Sequence, residues 1–287
     1  MNEQVKVIIL RTAGTNCNEE TAFAFRSCGA WVDQVHIHKL FNSSVHLKEY
    51  HILAIPGGFT YGDDIESGRI LANELRLRLG GDIRQFIEDG KLMIGICNGF
   101  QVLVKAGLLP GPFSEEERHP STFSQRATLV NNDSGHYEDR WVYLKVDGKS
   151  VWTRGIERMI YIPVAHGEGK FVPRDQDVLA QLQGNGQVAF RYCGPNGEKP
   201  EFPQNPNGSV DDIAGITDKT GRILGLMPHP ERHFVFTQHP SWTRLDKKQH
   251  LGDGAKIFEN GVQYVRKNIL KTALIPRLLA AGTGKGQ

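Results

Sequence analysis

The stretch Lys91-Leu-Met-Ile-Gly-Ile-Cys97-Asn-Gly-Phe-Gln-Val-Leu-Val-Lys-Ala-Gly107 decides the reading of this chain. Leu92 to Ile96 is a short unbroken apolar run, the pattern of a strand buried on both faces. Phe100, Val102, Leu103, Val104 and Ala106 suit a helix packed back on that strand, and Gly107 stops it. Cys97 stands at the turn between them, flanked by Gly95 and Gly99. Gly-x-Cys-x-Gly is the thiol counterpart of the strand–turn–helix elbow Gly-x-Ser-x-Gly. A nucleophile on so sharp a turn needs strained backbone angles, and side chains two residues to either side would strike strand and helix. The turn lifts the sulfur clear of the sheet and sets it at a helix N-terminus. There the dipole and the free N–H groups favour thiolate over thiol. A Cys between two glycines is equally compatible with a buried structural thiol, so the elbow needs support from elsewhere.

Two further stretches give that support. His51-Ile-Leu-Ala-Ile-Pro56-Gly57-Gly58-Phe59 reads as a strand ending in a glycine pair, suited to offering backbone N–H groups to an oxyanion. Gly225-Leu-Met-Pro228-His229-Pro230-Glu231 reads as a strand end that delivers a His, with a carboxylate two residues on. A nucleophilic Cys needs a base to take its proton, and the base needs a group to orient it. Cys97, His229 and Glu231 supply the three.

Outward from these motifs, strands and helices alternate. Val5 to Leu10 is a β-branched apolar run and predicts a first strand, central and parallel. Glu19 to Cys28 predicts a helix ending at Gly29, and Trp31 to Ile37 a second strand. The expected fold class is therefore α/β: a doubly wound, mostly parallel sheet with helices on both faces, flavodoxin-like. Such sheets place their sites at the carboxyl ends of strands, where all three motifs fall. Ile213-Ala-Gly-Ile-Thr-Asp predicts a further strand and Gly221 a turn. The Pro-, Gly- and Asn-rich segment from Cys193 to Gly208 has neither helix nor strand period. Ala255 to Asn268 predicts a helix whose apolar side is Ile257, Phe258, Val262 and Val265.

At 287 residues the chain is read as one domain, 1–287, with an exposed insertion near 111–126 and a C-terminal helical extension over 240–287 whose tail, Ala280 to Gln287, is frayed. Hydrophobic residues make up 39% and charged residues 23%, the composition of a globular protein. A net charge of +2 with no Lys/Arg block gives no ground for nucleic-acid binding. Met1-Asn-Glu-Gln-Val-Lys lacks the layout of a signal peptide, and no apolar run approaches the roughly 20 residues of a membrane span, so no membrane partner is expected. Cys17, Cys28, Cys97 and Cys193 form no Cys-x-x-Cys pair, which excludes the common zinc patterns. Asp63, Asp64 and Glu66 do not match a calcium loop and suit the solvated start of a helix. His229-x-Glu231-x-His233 resembles a metal-ligand spacing, but Pro228 and Pro230 forbid the helix that would align it. Gly284-Lys285 lacks the first glycine and the hydroxyl residue of a phosphate-binding loop. No metal and no cofactor are expected on this chain.

Pro-Gly-Gly-Phe, Gly-Ile-Cys-Asn-Gly and Met-Pro-His-Pro-Glu resemble, in order and at compatible distances, the three signatures of class I (triad) glutamine amidotransferases. Gly57-Gly58-Phe59-x-Tyr61-Gly62-Asp63 narrows the resemblance to the glutaminase components of phosphoribosylformylglycinamidine synthases, of de novo purine synthesis. So do Gly14-Thr-Asn-Cys-Asn-Glu-Glu-Thr21, Asn132-x-Ser134-Gly-x-x-Glu-Asp-Arg140-Trp141 and Ala165-His166-Gly167-Glu168-Gly169-Lys-Phe171. The resemblance spans nearly the whole chain apart from the insertion near Glu115 and the extreme tail. It implies that Cys97 attacks the side-chain amide of L-glutamine with His229 as base and Glu231 as its orienting group. It implies an oxyanion hole from the N–H groups of Gly58 and Asn98. Gln101 and the backbone near Arg140 and Trp141 would hold the amino-acid end of glutamine, although Arg140 is equally compatible with a surface salt bridge. His166 and Glu168, in a glycine-flanked stretch that suggests a loop, would lie near the glutamine pocket or the partner and are not read as catalytic. The implied partner is a large synthetase subunit, with or without a small bridging subunit, and ATP and Mg2+ would bind there. The implied location is cytoplasmic. A different amidotransferase or a γ-glutamyl hydrolase with the same triad, and a scaffold that only docks and regulates a synthetase, are the competing readings.

Overall fold

The computed structural model describes residues 4–112, 124–148, 150–157, 159–245 and 250–270. Most of the expected insertion, the Gly284-Lys285 pair and the tail from 271 lie outside the described residues. Along the chain come β1 (Lys6–Arg11), α1 (Asn18–Ser27), β2 (Trp31–His36), the short α2 (Ile37–Phe41) and β3 (Ile52–Ile55). Then follow α3 (Arg69–Arg78), α4 (Gly80–Glu88), β4 (Leu92–Ile96), α5 (Asn98–Lys105), β5 (Ala127–Val130), β6 (Glu138–Val146) and β7 (Ile160–His166). Last are β8 (Lys170–Pro173), α6 (Gln176–Gly184), β9 (Val188–Cys193), β10 (Ile213–Thr217), β11 (Ile223–Leu226) and α7 (Ala255–Tyr264).

Nine strands form one sheet in the order β2-β1-β3-β4-β11-β10-β9-β6-β7. The first five run parallel, and from β11 onward every pairing is antiparallel. The residue patterns explain the split. β3, β4 and β11 are buried at every position, as strands covered on both faces must be. β7 alternates buried and half-exposed residues along its length, the period-2 pattern of a strand with one wetter face. β1 is flanked by parallel strands as expected, one place in from the edge strand β2. β5 and β8 make a separate antiparallel ribbon.

Crossovers between parallel strands are right-handed. β1 leads through α1 to β2 on one side, and β3 leads through α3 and α4 to β4 on the other, so the helices fall on opposite faces. α1 packs against α7, with the Phe25 and Phe258 rings edge to face at 5.0 Å. α3 and α5 pack together on the other face with the ribbon, where Phe100 stacks on Phe171 at 6.2 Å. The direction of winding reverses between β1 and β3, which opens a crevice at their carboxyl ends. The antiparallel wing curls back toward that crevice. Pro163 O of β7 accepts from His229 N at 2.8 Å, and Tyr161 N donates to Asp253 Oδ2 at 2.8 Å, so chain following β11 covers the free edge of β7.

α7 buries Ile257, Phe258 and Val262, as its spacing predicts, and beyond Tyr264 the helix widens into π-type turns over Val265–Leu270. Its anchor is Trp152, which is 0% exposed and donates Nε1–H to Arg222 O at 2.9 Å. Asn260 Nδ2 donates to Trp152 O at 2.9 Å, and a Cβ on Gly261 would stand 2.5 Å from the indole ring. Trp152→Ala is expected to lower the free energy of unfolding by about 3–5 kcal/mol, the usual result of emptying an aromatic site in a packed core. Urea unfolding of the two chains measures it.

Candidate active site

Cys97 leaves β4 and enters α5 with φ 52° and ψ −108°, a conformation that costs a non-glycine residue free energy. The neighbouring glycines make the turn sterically possible. A Cβ at Gly95 would stand 2.5 Å from Gly99 O, and one at Gly99 would stand 1.9 Å from Ile55 O. The Cys97 amide donates to Leu226 O at 2.8 Å, which ties the elbow to β11. Its Sγ faces Ala165 O at 3.6 Å, so the carboxyl end of β7 reaches the thiol.

His229 and Glu231 follow β11, and the Pro230–His233 segment is a single 3-10 turn. His229 Nδ1–H donates to Glu231 Oε1 at 2.6 Å, with both side chains almost wholly buried. That bond leaves Nε2 as the ring atom available to a thiol, and Nε2 has no hydrogen-bond partner among the described residues. Burial disfavours the imidazolium, but the Glu231 carboxylate and the nearby Cys97 outweigh it, and the His229 pKa is raised well above its ordinary value. His229 Cε1, Cys17 Sγ and Cys97 Cβ all crowd the point where a Cβ of Gly57 would stand, at 2.8, 3.1 and 3.5 Å. The elbow, the histidine and the glycine-pair loop therefore converge.

Cys17 sits beside this pair. Its Sγ is 4.0 Å from His229 Nδ1 and 3.2 Å from Arg232 Nη2. Donor atoms of Cys17, His229 and Glu231 lie within 4.8 Å of one another, a spacing compatible with a cation. The Arg232 guanidinium lies against that sulfur, and Nδ1 donates to Glu231, so these atoms already have partners within the chain. His233 turns away toward Tyr161 O at 2.7 Å.

Asn98 is buried at the start of α5. Its Oδ1 accepts from Thr60 Oγ1 at 2.7 Å and from Thr60 N at 3.3 Å, which fixes the loop after the glycine pair to the elbow. Asp63 is drawn into the same network, accepting from Ser67 Oγ at 2.9 Å and from Asn98 Nδ2 at 3.3 Å. Burial raises its pKa despite the Ser67 and Gly68 hydrogen bonds, so it is not the solvated helix-start acid that its sequence suggests. Asp64 and Glu66 are exposed, and the helix itself starts only at Arg69.

Residues 4–265 match the family model of the CobB/CobQ-like glutamine amidotransferase domain. Phosphoribosylformylglycinamidine synthase subunit PurQ of Dehalococcoides mccartyi is 48% identical over 92% of this chain and 99% of its own length. PurQ of Methanococcus maripaludis is 41% identical over 91% of this chain and 98% of its own. The chain belongs to the PurQ family of class I glutamine amidotransferases. The structure of PurLQS from Thermotoga maritima superposes with a TM-score of 0.68 at 29% identity, over 92% of this chain and 100% of the matched one.

The residues expected at the amino-acid end of glutamine make the following contacts in this PurQ-family chain. Gln101 is buried, and both ends of its amide are engaged: Oε1 accepts from Asn98 Nδ2 at 2.9 Å and Nε2 donates to Glu168 O at 2.6 Å. It holds the turn after β7 against α5. The Arg140 guanidinium pairs with the Glu138 carboxylate and lies over the Phe202 ring at 5.1 Å, so the salt-bridge alternative describes its side chain. Trp141 projects from the opposite face of β6, where it packs on Tyr161 and His233 at 5.2 and 5.1 Å. The β6 backbone is more promising. Only Tyr143–Val146 pair with β9, so Glu138–Val142 run past the end of that neighbour.

Three features escaped the sequence reading. His166 is the last residue of β7 rather than a loop residue, and it is buried between Asn132 Oδ1 at 3.1 Å and Asn207 Nδ2 at 3.4 Å. The Lys105 ammonium is buried and donates to Ser67 O at 2.9 Å, with Glu168 Oε2 at 3.9 Å. Cys17 and Arg232 meet across 215 residues. Only the Thr15-Asn-Cys-Asn18 stretch gave any signal of the last, and it carried no role.

Burial, with His229 nearby, lowers the His166 pKa from 6.5 to about 4. The unfolded chain therefore binds a proton between those values that the folded chain refuses. The His166 contribution to stability is full well above pH 6.5 and falls as the pH drops toward 4, by up to about 3 kcal/mol, whereas the raised His229 pKa acts in the opposite sense above pH 6.5. Urea unfolding from pH 7 to 4 is expected to show that slope, and His166→Gln is expected to flatten it.

Proposed function

We propose that this chain is the glutaminase component of a phosphoribosylformylglycinamidine synthase, releasing ammonia from L-glutamine through a Cys97 thioester. The observation that carries the reading is the buried 2.6 Å His229–Glu231 pair set against a thiol on a strained elbow, in a chain of the PurQ family. His229, oriented by Glu231, takes the Cys97 proton, and the sulfur attacks the side-chain amide carbon. The N–H groups of Gly58 and Asn98 meet the oxyanion. His229 then protonates the departing ammonia and draws a proton from the water that opens the γ-glutamyl thioester. The β6 backbone near Arg140 and Trp141 lines the amino-acid end of glutamine, and Gln101 acts there by positioning the Glu168 turn.

The relatives are named as subunits of a synthase, and the solved relative is named PurLQS. By the same partition, this chain works with a large synthetase subunit and a small bridging one. The phosphate-transfer half of the reaction, with its ATP and Mg2+, is assigned to the large subunit. The chain itself is assigned no cofactor. No helix among the described residues is long and apolar enough to cross a membrane. Its four cysteines are all free, as in a reducing compartment, which supports a cytoplasmic location.

Glutamate release, measured for the chain alone and with the synthetase subunits, ATP and formylglycinamide ribonucleotide, tests the reading. Strong stimulation by the partners is expected. Cys97→Ala is expected to abolish release, and Glu231→Gln to lower kcat by up to about 10⁴-fold through loss of the orienting carboxylate. High activity without partners and unchanged by them would point instead to an independent γ-glutamyl hydrolase.

A further inference from the structure

The loop between β1 and α1 takes no part in the steps above, yet it is interlocked with the loop that carries Gly58. The amides of Asn16 and Cys17 both donate to Gly57 O, at 3.3 and 3.1 Å. In return, Phe59 N donates to Gly14 O and Tyr61 N to Ala13 O, each at 2.9 Å. Thr15 and Gly58 face each other as an isolated antiparallel bridge. Because Gly57 O and Phe59 N carry the bonds, Thr15 and Gly58 are the non-hydrogen-bonded pair of that bridge, and the Gly58 N–H points away from the β1–α1 loop. Planarity of the trans peptide gives the same direction: with Gly57 O held toward the loop, the N–H of Gly58 must face the other way.

The interlock leaves no room for side chains. Gly14 has φ +86°, and a Cβ there would stand 1.8 Å from Phe59 O. Gly58 has φ +147°, and a Cβ there would stand 2.6 Å from Gly14 O and 2.8 Å from Asn16 N. The same loop touches the base as well, through Cys17 Sγ beside His229 and Arg232.

We infer that residues 13–17 form a positioning clamp, in which the Asn16 and Cys17 amides hold the Gly57 carbonyl and so keep the Gly58 N–H presented to the oxyanion. The inference rests on the reading of Cys97 as nucleophile and Gly58 as donor. If the Gly57–Gly58 peptide flips, a carbonyl oxygen replaces a donor where negative charge develops. Loss of one such donor lowers rate about 10²–10³-fold while substrate binding is spared.

The test compares the full chain with its Gly14→Ala variant, using the γ-aldehyde analogue of glutamine. The Cys97 sulfur adds to the aldehyde carbon, the C=O double bond becomes single, and the oxygen takes the thiol proton or remains an oxyanion. Iodoacetamide serves as the control: it forms an S–C bond with loss of iodide and develops no oxyanion. Gly14→Ala is expected to weaken the aldehyde adduct by about 10²–10³-fold and to lower kcat in the assembled synthase equally. KM for glutamine, and the rate of iodoacetamide labelling mapped to Cys97, are expected to stay near wild type. Undiminished aldehyde affinity, or equal losses in labelling, KM and kcat, would overturn the clamp. Absence of any adduct in the wild-type chain would overturn the nucleophile reading, and the clamp with it. Amide hydrogen exchange on the wild-type chain needs no variant: Cys17 and Phe59 are expected to be protected, and exchange at the rate of unstructured peptide would also overturn the clamp.

Discussion

An ionised carboxylate with no exposure to water is costly, by several kcal/mol even after the protein relaxes around it. Glu231 is in that position, with side-chain exposure of 0% and Oε2 lacking a hydrogen-bond partner. What compensates is the His229 Nδ1–H at 2.6 Å, and the neighbouring Arg232 guanidinium adds positive charge nearby. The pair is thus a mutual requirement: the acid needs an imidazole that holds its proton, and the imidazole cannot rotate without stranding the acid. Much of the architecture serves to hold that geometry. Pro228 and Pro230 restrict the backbone on both sides of His229. Pro163 O takes the His229 amide, so the antiparallel wing must curl far enough to bring β7 to the crevice.

The elbow meets a second constraint. Cys97 is held at positive φ because β3, β4 and α5 approach so closely that only glycine fits at positions 95 and 99. The strain is local, and the surrounding packing sustains it: Ile94 and Ile96 before the turn and Phe100 after it are wholly buried. The strained turn leaves the Asn98 amide at the first position of α5, where an N–H has no partner within its own helix. One distortion therefore provides both a projecting sulfur and a free donor beside it.

β1, β3, β4 and β11 were legible because they are buried along most or all of their length and read as short apolar runs, while the edge strand β2 was legible from its place after the Gly29 helix stop. The three chemical motifs were legible for the same reason, since each is a strand end. Of the antiparallel wing, β10 was legible from Ile213-Ala-Gly-Ile-Thr, and the rest was not. β6 carries half-exposed residues on both faces, Arg140 on one and Trp141 and Tyr143 on the other, and a short-range pattern gives it no clear period. His166 looked like a loop residue because glycines follow it at 167 and 169, yet the strand runs to the last residue before them. Gln101 and Asp63 were assigned to ligand and solvent. Only the folded chain shows that each is occupied by Asn98, Glu168 or Ser67. Cys17, Arg232 and Lys105 gain their significance from contacts between distant segments, which no local spacing encodes.

Rigidity is distributed unevenly around the crevice, and the chemistry explains where. On the side where negative charge develops, the loops are tied by backbone amides and by buried side chains such as Asn98 and Lys105, whose geometry does not depend on a bound substrate. Preorganised donors are effective because they need not reorient when the oxyanion forms. At the rim, the Phe59 and Tyr137 rings stand about half exposed and 6.4 Å apart, and the partly exposed Asp133–Lys170 ion pair contributes little. The glycine loop and the elbow are thus tied together by buried hydrogen bonds beside the reacting thiol, while apolar surface is left exposed at the rim. For an enzyme that releases ammonia this division is physically sensible. The reacting centre is buried and fixed, while the exposed rim is the part of the site that a second subunit can still cover.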